Sequence, residues 1–225
     1  MLKMILKSIL LLFSLFLLNN QSSAINVNGY IITENSDTVF GTIQLQKFDQ
    51  VTGNLVINGF DREILHKKLS FKSVKDKKYK TYLPETISGF GFNYEKERYV
   101  FQSFTLERKS LVKRERFQSR FLCLVYRGSL SLFKDIKSYN FDPSNITRNY
   151  NSYTYSEFFL YQPSVGLIKV EITDKISSIK DLLRQFNCNE LFVQKLKENI
   201  RISNILDVLK TYDQWLSNQH SGMII

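Results

Sequence analysis

The residue types that build metal and nucleophilic centres are scarce in this sequence. It contains two histidines, His66 and His220, and two cysteines, Cys123 and Cys188. The zinc-protease pattern HExxH, the CxxC pair, the P-loop, the dinucleotide-binding pattern GxGxxG and the nucleophile elbow GxSxG do not occur in it. Two isolated histidines and two distant cysteines do not make a zinc set. We therefore predict no catalytic centre, no metal site and no cofactor.

Carboxylates offer the remaining chemistry, which is acid–base cleavage of a glycosidic bond. Glu95 and Glu97 lie two residues apart, and Glu107 and Glu115 lie amid basic residues. A glycosidase needs two carboxylates that flank a sugar cleft, whereas these pairs fall in predicted turns and loops. We expect them to be solvated. A hydrolase with carboxylates from distant segments stays open as the alternative.

One segment is strongly basic. Its cations are Arg108, Lys109, Lys113, Arg114, Arg116 and Arg120. The whole chain has 31 Lys and Arg against 21 Asp and Glu, a net charge of +10. Such a segment can contact lipid phosphates, acidic glycans or acidic proteins, and it can equally be a solvated loop. It is the candidate contact with an anionic surface.

The N-terminus has the three-part pattern of a secretory signal peptide. Lys3 and Lys7 form the positive region, and residues 9–18 are apolar apart from Ser14. Small residues lead up to Ala24, after which we predict cleavage. The alternative is an uncleaved anchor, although the apolar run is well short of the ~20 residues that a membrane span needs.

The predicted export limits the partners that the protein can meet. It removes nucleic acid as the partner of a basic protein. We predict a periplasmic or outer-membrane-associated protein, or one that is secreted, whose partner is another envelope protein, an anionic lipid or an acidic glycan. No later apolar run predicts a transmembrane span in the mature chain, and the oligomeric state is left open.

Export also permits a disulfide. Cys123 and Cys188 can pair only if their segments pack together with Cα atoms about 4.4–6.8 Å apart. Buried free thiols, which behave as small apolar groups, are the other interpretation.

Hydrophobic periodicity predicts the fold. Residues 121–126 are apolar without a break, which indicates a strand buried on both faces, and the turn at Gly128 leads into a second strand. Alternation with a period of two predicts a first hairpin over 27–47 and a strand over 62–73. The polar stretch 134–153 indicates a loop. From Asp174 the period becomes 3.6, which predicts three short helices.

These elements give an α+β fold class. We expect a mainly antiparallel β-sheet, as a curved sheet or partial barrel, with a C-terminal cluster of about three short helices. The predicted organisation is a signal peptide over 1–24, a β-rich region over 25–172 and a helical region over 173–225 that packs on the sheet.

Several phrases in a fixed order resemble a poorly characterised family of exported envelope proteins of Gram-negative bacteria. The phrases are Gly-Tyr-Ile-Ile-Thr at 29–33, Asp-Thr-Val-Phe-Gly-Thr-Ile at 37–43, Tyr-Leu-Pro-Glu-Thr-Ile-Ser-Gly-Phe at 82–90, Gly-Ser-Leu-Ser-Leu-Phe at 128–133 and a late helical segment around Cys188. Longer relatives in this family can carry an outer-membrane β-barrel after the module. The resemblance implies export and a role in the envelope, and it assigns no activity to particular residues.

The sequence therefore predicts a non-catalytic binding or scaffold module that contacts an envelope component or an anionic surface. Two alternatives stay open. One is a hydrolase of envelope polymers. The other is a carrier of a small apolar ligand, because a curved antiparallel sheet can close around one.

Overall fold

A computed structural model describes residues 24–47, 59–108, 116–141, 151–170, 176–196 and 204–221. The predicted signal peptide up to residue 23, and the cations Lys109, Lys113 and Arg114, lie outside the described residues. None of the described helices is both long enough and apolar enough to cross a membrane.

The described chain forms ten strands and four helices. The strands are β1 Ala24–Ile32, β2 Thr38–Gln46, β3 Leu69–Ser73, β4 Lys80–Tyr82, β5 Gly89–Tyr94, β6 Glu97–Arg108, β7 Arg116–Tyr126, β8 Ser131–Phe141, β9 Asn151–Gln162 and β10 Gly166–Val170. The helices are α1 Arg62–Leu65, α2 Ile176–Gln185, α3 Glu190–Lys195 and α4 Ile205–Ser221.

All ten strands join one antiparallel sheet in the order β10-β9-β8-β7-β6-β5-β1-β2-β3-β4. The sheet does not close, since β10 and β4 are its two edges. The α+β prediction is confirmed, with an open sheet followed by short C-terminal helices.

One face of the sheet carries two apolar cores. The first is made by β1 to β7 with the segment around α1, and its fully or nearly fully buried members include Ile43, Phe71, Phe90 and Leu65. The second joins β8, β9 and β10 to α2, α3 and α4, and Leu160 is fully buried in it. The three C-terminal helices therefore cover the C-terminal strands, whereas the short helix α1 belongs to the first core and also contacts β8. We call this the inner face.

The strand predicted to be buried on both faces is β7. Phe121 belongs to the first core, and Leu122 packs with Phe133 and Phe159 on the outer face; both Phe121 and Leu122 have 0% exposure. Burial ends further along, where Val125 is 37% exposed. The prediction therefore holds for the first half of the apolar run.

Two local predictions were wrong. Residues 62–73 do not form one strand, because the Asp61 carboxylate accepts from the backbone N–H groups of Glu63 and Ile64 and starts helix α1. Residues 134–153 are not simply a loop. β8 extends to Phe141 and pairs with β9 from Asn151, so both ends of this stretch lie on strands, while residues 142–150 lie outside the described residues.

Candidate ligand-binding groove

A surface groove of about 750 Å³ lies across the N-terminal strands of the sheet. Strand alternation decides what lines it. Ile31 on β1, Ile43 on β2 and Phe92 on β5 point into the first core. The residues that alternate with them along each strand therefore point to the opposite face, which we call the outer face. These outward-facing side chains form two adjacent rows that cross the strands.

The first row, which we call the polar row, crosses five neighbouring strands. It consists of Arg98, Asn93, Asn28, Thr42 and Lys72. Neighbouring members are cross-strand partners. Asn93 on β5 lies opposite Asn28 on β1, one position beyond the paired residues Gly29 and Phe92. Four interstrand steps give the row a backbone length of roughly 19 Å. A cation therefore stands at each end of a series of amides and a hydroxyl.

The second row, which we call the apolar row, lies two residues away from the polar row on every strand, on the same face and always on the same side of it. It consists of Val100, Gly91, Tyr30, Phe40 and Val74. The rings of Tyr30 and Phe40 meet edge to face, with centroids 6.2 Å apart. Phe40 is 67% exposed and Val74 is 85% exposed, so this row presents apolar surface to a ligand or to water.

Gly91 makes room for the Tyr30 ring. A Cβ atom at Gly91 would lie 2.5 Å from the Tyr30 hydroxyl oxygen and 2.9 Å from a ring carbon. The hydroxyl end of the ring therefore occupies the space beside the glycine backbone, and a larger residue at this position would displace it.

The groove has a positive balance of charge. Arg98 is exposed, and neither Arg98 nor Lys72 forms an ion pair with any described residue. The Lys72 ammonium lies 5.3 Å from the centroid of the Tyr79 ring. Asp76 also lines the groove, but it accepts from Lys80 at 2.8 Å and from Ser73 at 2.9 Å. The hydrogen bond from Lys80 holds the pKa of Asp76 below its usual value.

A second polar cluster is buried where β7 and β8 separate. Their pairing stops after Cys123 and Lys134. The next inner-face positions on the two strands would be Phe121 and Ile136, and His66 lies between them. Its Nδ1 atom lies 2.6 Å from the Phe121 carbonyl oxygen, and the Ile136 N–H donates to its Nε2 atom at 3.3 Å.

These contacts fix the state of His66. A carbonyl oxygen only accepts, so Nδ1 carries the proton, and Nε2 keeps its lone pair for the Ile136 N–H. Burial lowers the pKa of His66 from 6.5 to about 3, so the ring is neutral at ordinary pH. Its contact with Asp135, 3.3 Å from Nδ1, is therefore not an ion pair. Both ring nitrogens are used to join strands.

Arg120 belongs to this cluster rather than to the surface. It is 5% exposed and donates to Asp135 at 2.6 Å. Burial raises the pKa of Asp135, and the bond from Arg120 opposes that rise. The predicted contact of Arg120 with an anionic surface is thus corrected. Arg108 and Arg116 are backbone partners in the register at the ends of β6 and β7, while Lys109, Lys113 and Arg114 lie outside the described residues.

The two cysteines do not form the bridge that was open from the sequence. Cys123 and Cys188 are both free and both buried, and they belong to different cores. Burial raises the pKa of each thiol. The two thiols therefore fit the other interpretation, in which they are buried and behave as small apolar groups.

Of the carboxylates singled out in the sequence, Glu115 lies outside the described residues, and Glu95 and Glu97 are engaged separately. Glu95 occupies the β5–β6 turn with a φ of 56°, and Glu97 accepts from the Tyr99 hydroxyl at 2.5 Å. Within the described ranges, no group of three or more His, Cys, Asp or Glu side chains is placed to hold a metal ion.

No family model matches the sequence. Searches of curated proteins and of solved structures also found no match. The groove is therefore interpreted from its own chemistry.

Proposed function

We propose that the protein is a non-catalytic binding module of the cell envelope that recognises an anionic component through the groove. The observation that carries the proposal is the pair of cations, Arg98 and Lys72, at the two ends of the polar row. Neither forms an ion pair with any described residue, so each can meet a carboxylate or phosphate of a ligand without first giving up such a pair, although Lys72 also lies over the Tyr79 ring.

The charge of the whole chain supports the same class of ligand. The formal net charge of +10 attracts anions over a distance and raises their rate of encounter. The signal-peptide pattern at the N-terminus and the resemblance to exported envelope proteins support a location where anionic lipids and acidic glycans are the abundant anions.

The other two functions receive less support from the described geometry. A hydrolase needs two convergent carboxylates, whereas Glu95 lies at a turn and Glu97 is bonded to Tyr99. A carrier of an apolar ligand needs an enclosing cavity with mostly apolar walls, whereas here a row of amides, a hydroxyl and cations lies beside the apolar row on an open face of the sheet.

The proposal is tested by titrating the purified protein with two anionic probes, phosphatidylglycerol vesicles and oligogalacturonate, at low and at high salt. We expect binding to at least one probe and a marked loss of affinity with salt, because exposed charges are screened. Replacing both groove cations, Arg98→Gln with Lys72→Gln, should weaken binding by about tenfold or more, since each charge-assisted hydrogen bond contributes about 1.5–3 kcal/mol.

Lys210→Gln is the matched control, because Lys210 is an exposed cation on α4 away from the groove. It should bind as the unaltered protein does. A charge reversal of Arg114 and Arg116 tests the basic segment separately. The proposal is overturned if neither probe binds, if the double groove variant keeps full affinity, or if only the reversal at Arg114 and Arg116 abolishes binding.

A further inference from the structure

We infer that the ligand of the groove is an acidic oligosaccharide that lies across the strands, with its sugar rings on the apolar row and its hydroxyl and acid groups on the polar row. This inference rests on the proposed function and adds the class of ligand. It depends on the two rows lying side by side on one face of the sheet.

The apolar row fits the face of a sugar ring. A pyranose presents C–H groups on its flat faces and hydroxyl groups around its rim, so it packs on an exposed aromatic side chain while its rim stays polar. Phe40 is 67% exposed, and Tyr30 supplies a second ring in edge-to-face contact with it, 6.2 Å between centroids. Tyr30 also places its hydroxyl over Gly91, where it can donate to or accept from a ligand.

The polar row fits the rim of the same rings. Asn28 and Asn93 each offer two N–H donors and a carbonyl acceptor, and Thr42 offers a hydroxyl that does both. Neighbouring sugar hydroxyls also donate and accept, so amides and hydroxyls are well matched to them. The cations at the ends of the row then select a sugar with a carboxylate or phosphate group.

The direction of the row argues for a chain rather than a single sugar. Cross-strand pairs step from β6 through β5, β1 and β2 to β3, so the row runs perpendicular to the strands for roughly 19 Å. An extended ligand can therefore reach both Arg98 and Lys72, whereas a monosaccharide reaches one of them.

Two other anions fit these observations less well. A peptide that adds to a sheet pairs with an exposed strand edge, whereas the rows lie on the face of interior strands β1, β2 and β5. A lipid surface would engage the two cations through its phosphates, but it gives no reason for an ordered line of amides and a hydroxyl between them.

The experiment compares an oligogalacturonate of several units with its fully methyl-esterified counterpart of equal length, by calorimetric titration at low salt. The ester has the same rings and hydroxyls but no charge. We expect the acid form to bind at least about tenfold more tightly, because the uncharged ester cannot form ion pairs with Arg98 and Lys72. The affinity should also rise from the monomer to the longer acid chain.

Phe40→Ala should weaken binding of the acid oligosaccharide by about tenfold or more, because the ring that receives the sugar face is removed. Phe117→Ala is the control, since Phe117 is exposed to a similar extent, 66% against 67%, on a distant strand. Asn93→Ala should likewise weaken the binding of the acid oligosaccharide. Thermal unfolding of each variant checks that the fold is retained.

The outcomes distinguish binding of anions in general from binding of an acidic oligosaccharide. If phosphatidylglycerol vesicles bind through the groove cations while the oligosaccharide does not, the proposed function stands and the oligosaccharide inference is overturned. Equal affinity for acid and ester, or no effect of Phe40→Ala, also overturns the inference. If no anionic probe binds, both fail.

Discussion

The ring of His66 takes the place of a cross-strand partner for Phe121. The Phe121 N–H donates to the His66 carbonyl oxygen at 3.0 Å, and the His66 Nδ1–H donates to the Phe121 carbonyl oxygen at 2.6 Å. The same ring accepts from Ile136 on β8. One residue therefore satisfies backbone groups on both strands at the point where the sheet separates.

Replacing His66 should destabilise the protein strongly. His66→Ala leaves the Phe121 carbonyl and the Ile136 N–H buried without their partner, and we expect a loss of about 2–4 kcal/mol in the free energy of unfolding. His66→Gln, which keeps a donor and an acceptor, should lose less. Urea unfolding followed by circular dichroism measures both, with Lys210→Gln as the control. Equal stability of the alanine variant and the unaltered protein would contradict this role.

His66 should also make the protein less stable in acid. Its pKa is about 3 in the folded protein and about 6.5 in the unfolded chain. The unfolded chain therefore binds the extra proton first, and stability falls as the pH drops from about 6.5 towards 3. Between pH 7 and pH 5 this single group should cost about 2 kcal/mol.

The charged groups around His66 modify this pH dependence. The pKa of Asp135 is raised by burial, so its protonation favours the folded form as the pH falls and opposes His66. Arg120, Lys134 and Lys67 lower the pKa of His66 further. Urea unfolding at several pH values should give a shallower acid loss for His66→Gln than for the unaltered protein. Parallel curves would show that His66 does not titrate in this way.

Gly128 and Asp213 should be energetically coupled. The Asp213 carboxylate accepts from the Tyr126 hydroxyl at 2.5 Å and from the Ser129 N–H at 3.0 Å, which fastens α4 to the β7–β8 turn. A Cβ atom at Gly128 would collide with that carboxylate. We expect Gly128→Ala to cost about 1–3 kcal/mol.

A double-mutant cycle tests this coupling. In an Asp213→Ala background the nearest obstacle is gone and the Tyr126 ring carbon 2.7 Å from the Cβ position remains, so Gly128→Ala should cost less than it does alone. Chemical unfolding of the four proteins supplies the free energies. Strict additivity of the two changes would show that the carboxylate does not occupy the space beside Gly128.

Gly91→Ala should alter the groove more than the fold. The added methyl group must displace the Tyr30 side chain, whose hydroxyl oxygen lies 2.5 Å and whose ring carbons lie 2.7 and 2.9 Å from its position. We expect at least about a tenfold loss of affinity for the acid oligosaccharide with a smaller change in thermal stability. Gly91→Ala combined with Tyr30→Ala should be no worse than Tyr30→Ala alone. A loss of affinity in the double variant beyond that of Tyr30→Ala would mean that Gly91 acts independently of the ring.

The sequence predicts well those elements whose pattern is local and regular. The alternation in β1 and β2 and the apolar run at Phe121 and Leu122 predict strands directly, because burial on one or both faces determines which residues are tolerated. The shift to a period of 3.6 likewise predicts the C-terminal helices. Each signal lies within a dozen neighbouring residues.

Features that depend on distant partners were missed. His66 meets Phe121 and Ile136 across 55 and 70 residues of chain, and its sequence neighbours are lysines that suggest an exposed strand. Arg120 follows a basic run but meets Asp135 fifteen residues later. Nothing in either local pattern indicates burial, because the partners come together only when the sheet is assembled.

The groove was missed for a related reason. Each of its strands carries one unremarkable polar residue, and the polar row exists only once five strands are in register. The alternation of apolar and polar residues along each strand does predict that Asn28, Thr42, Lys72 and Arg98 lie on the face opposite the core. Pairing Asn93 with Arg98 across the β5–β6 turn was within reach of the sequence, whereas the order of the other strands was not.

The separation of the two faces has an evolutionary consequence. Every member of the polar row points away from the first core, so a substitution such as Thr42→Lys changes the chemistry offered to a ligand and leaves Ile43 and Phe71 in place. Selection can therefore alter recognition and preserve the scaffold at the same time. Descendants of this sheet can diverge in what they bind long before they diverge in how they fold.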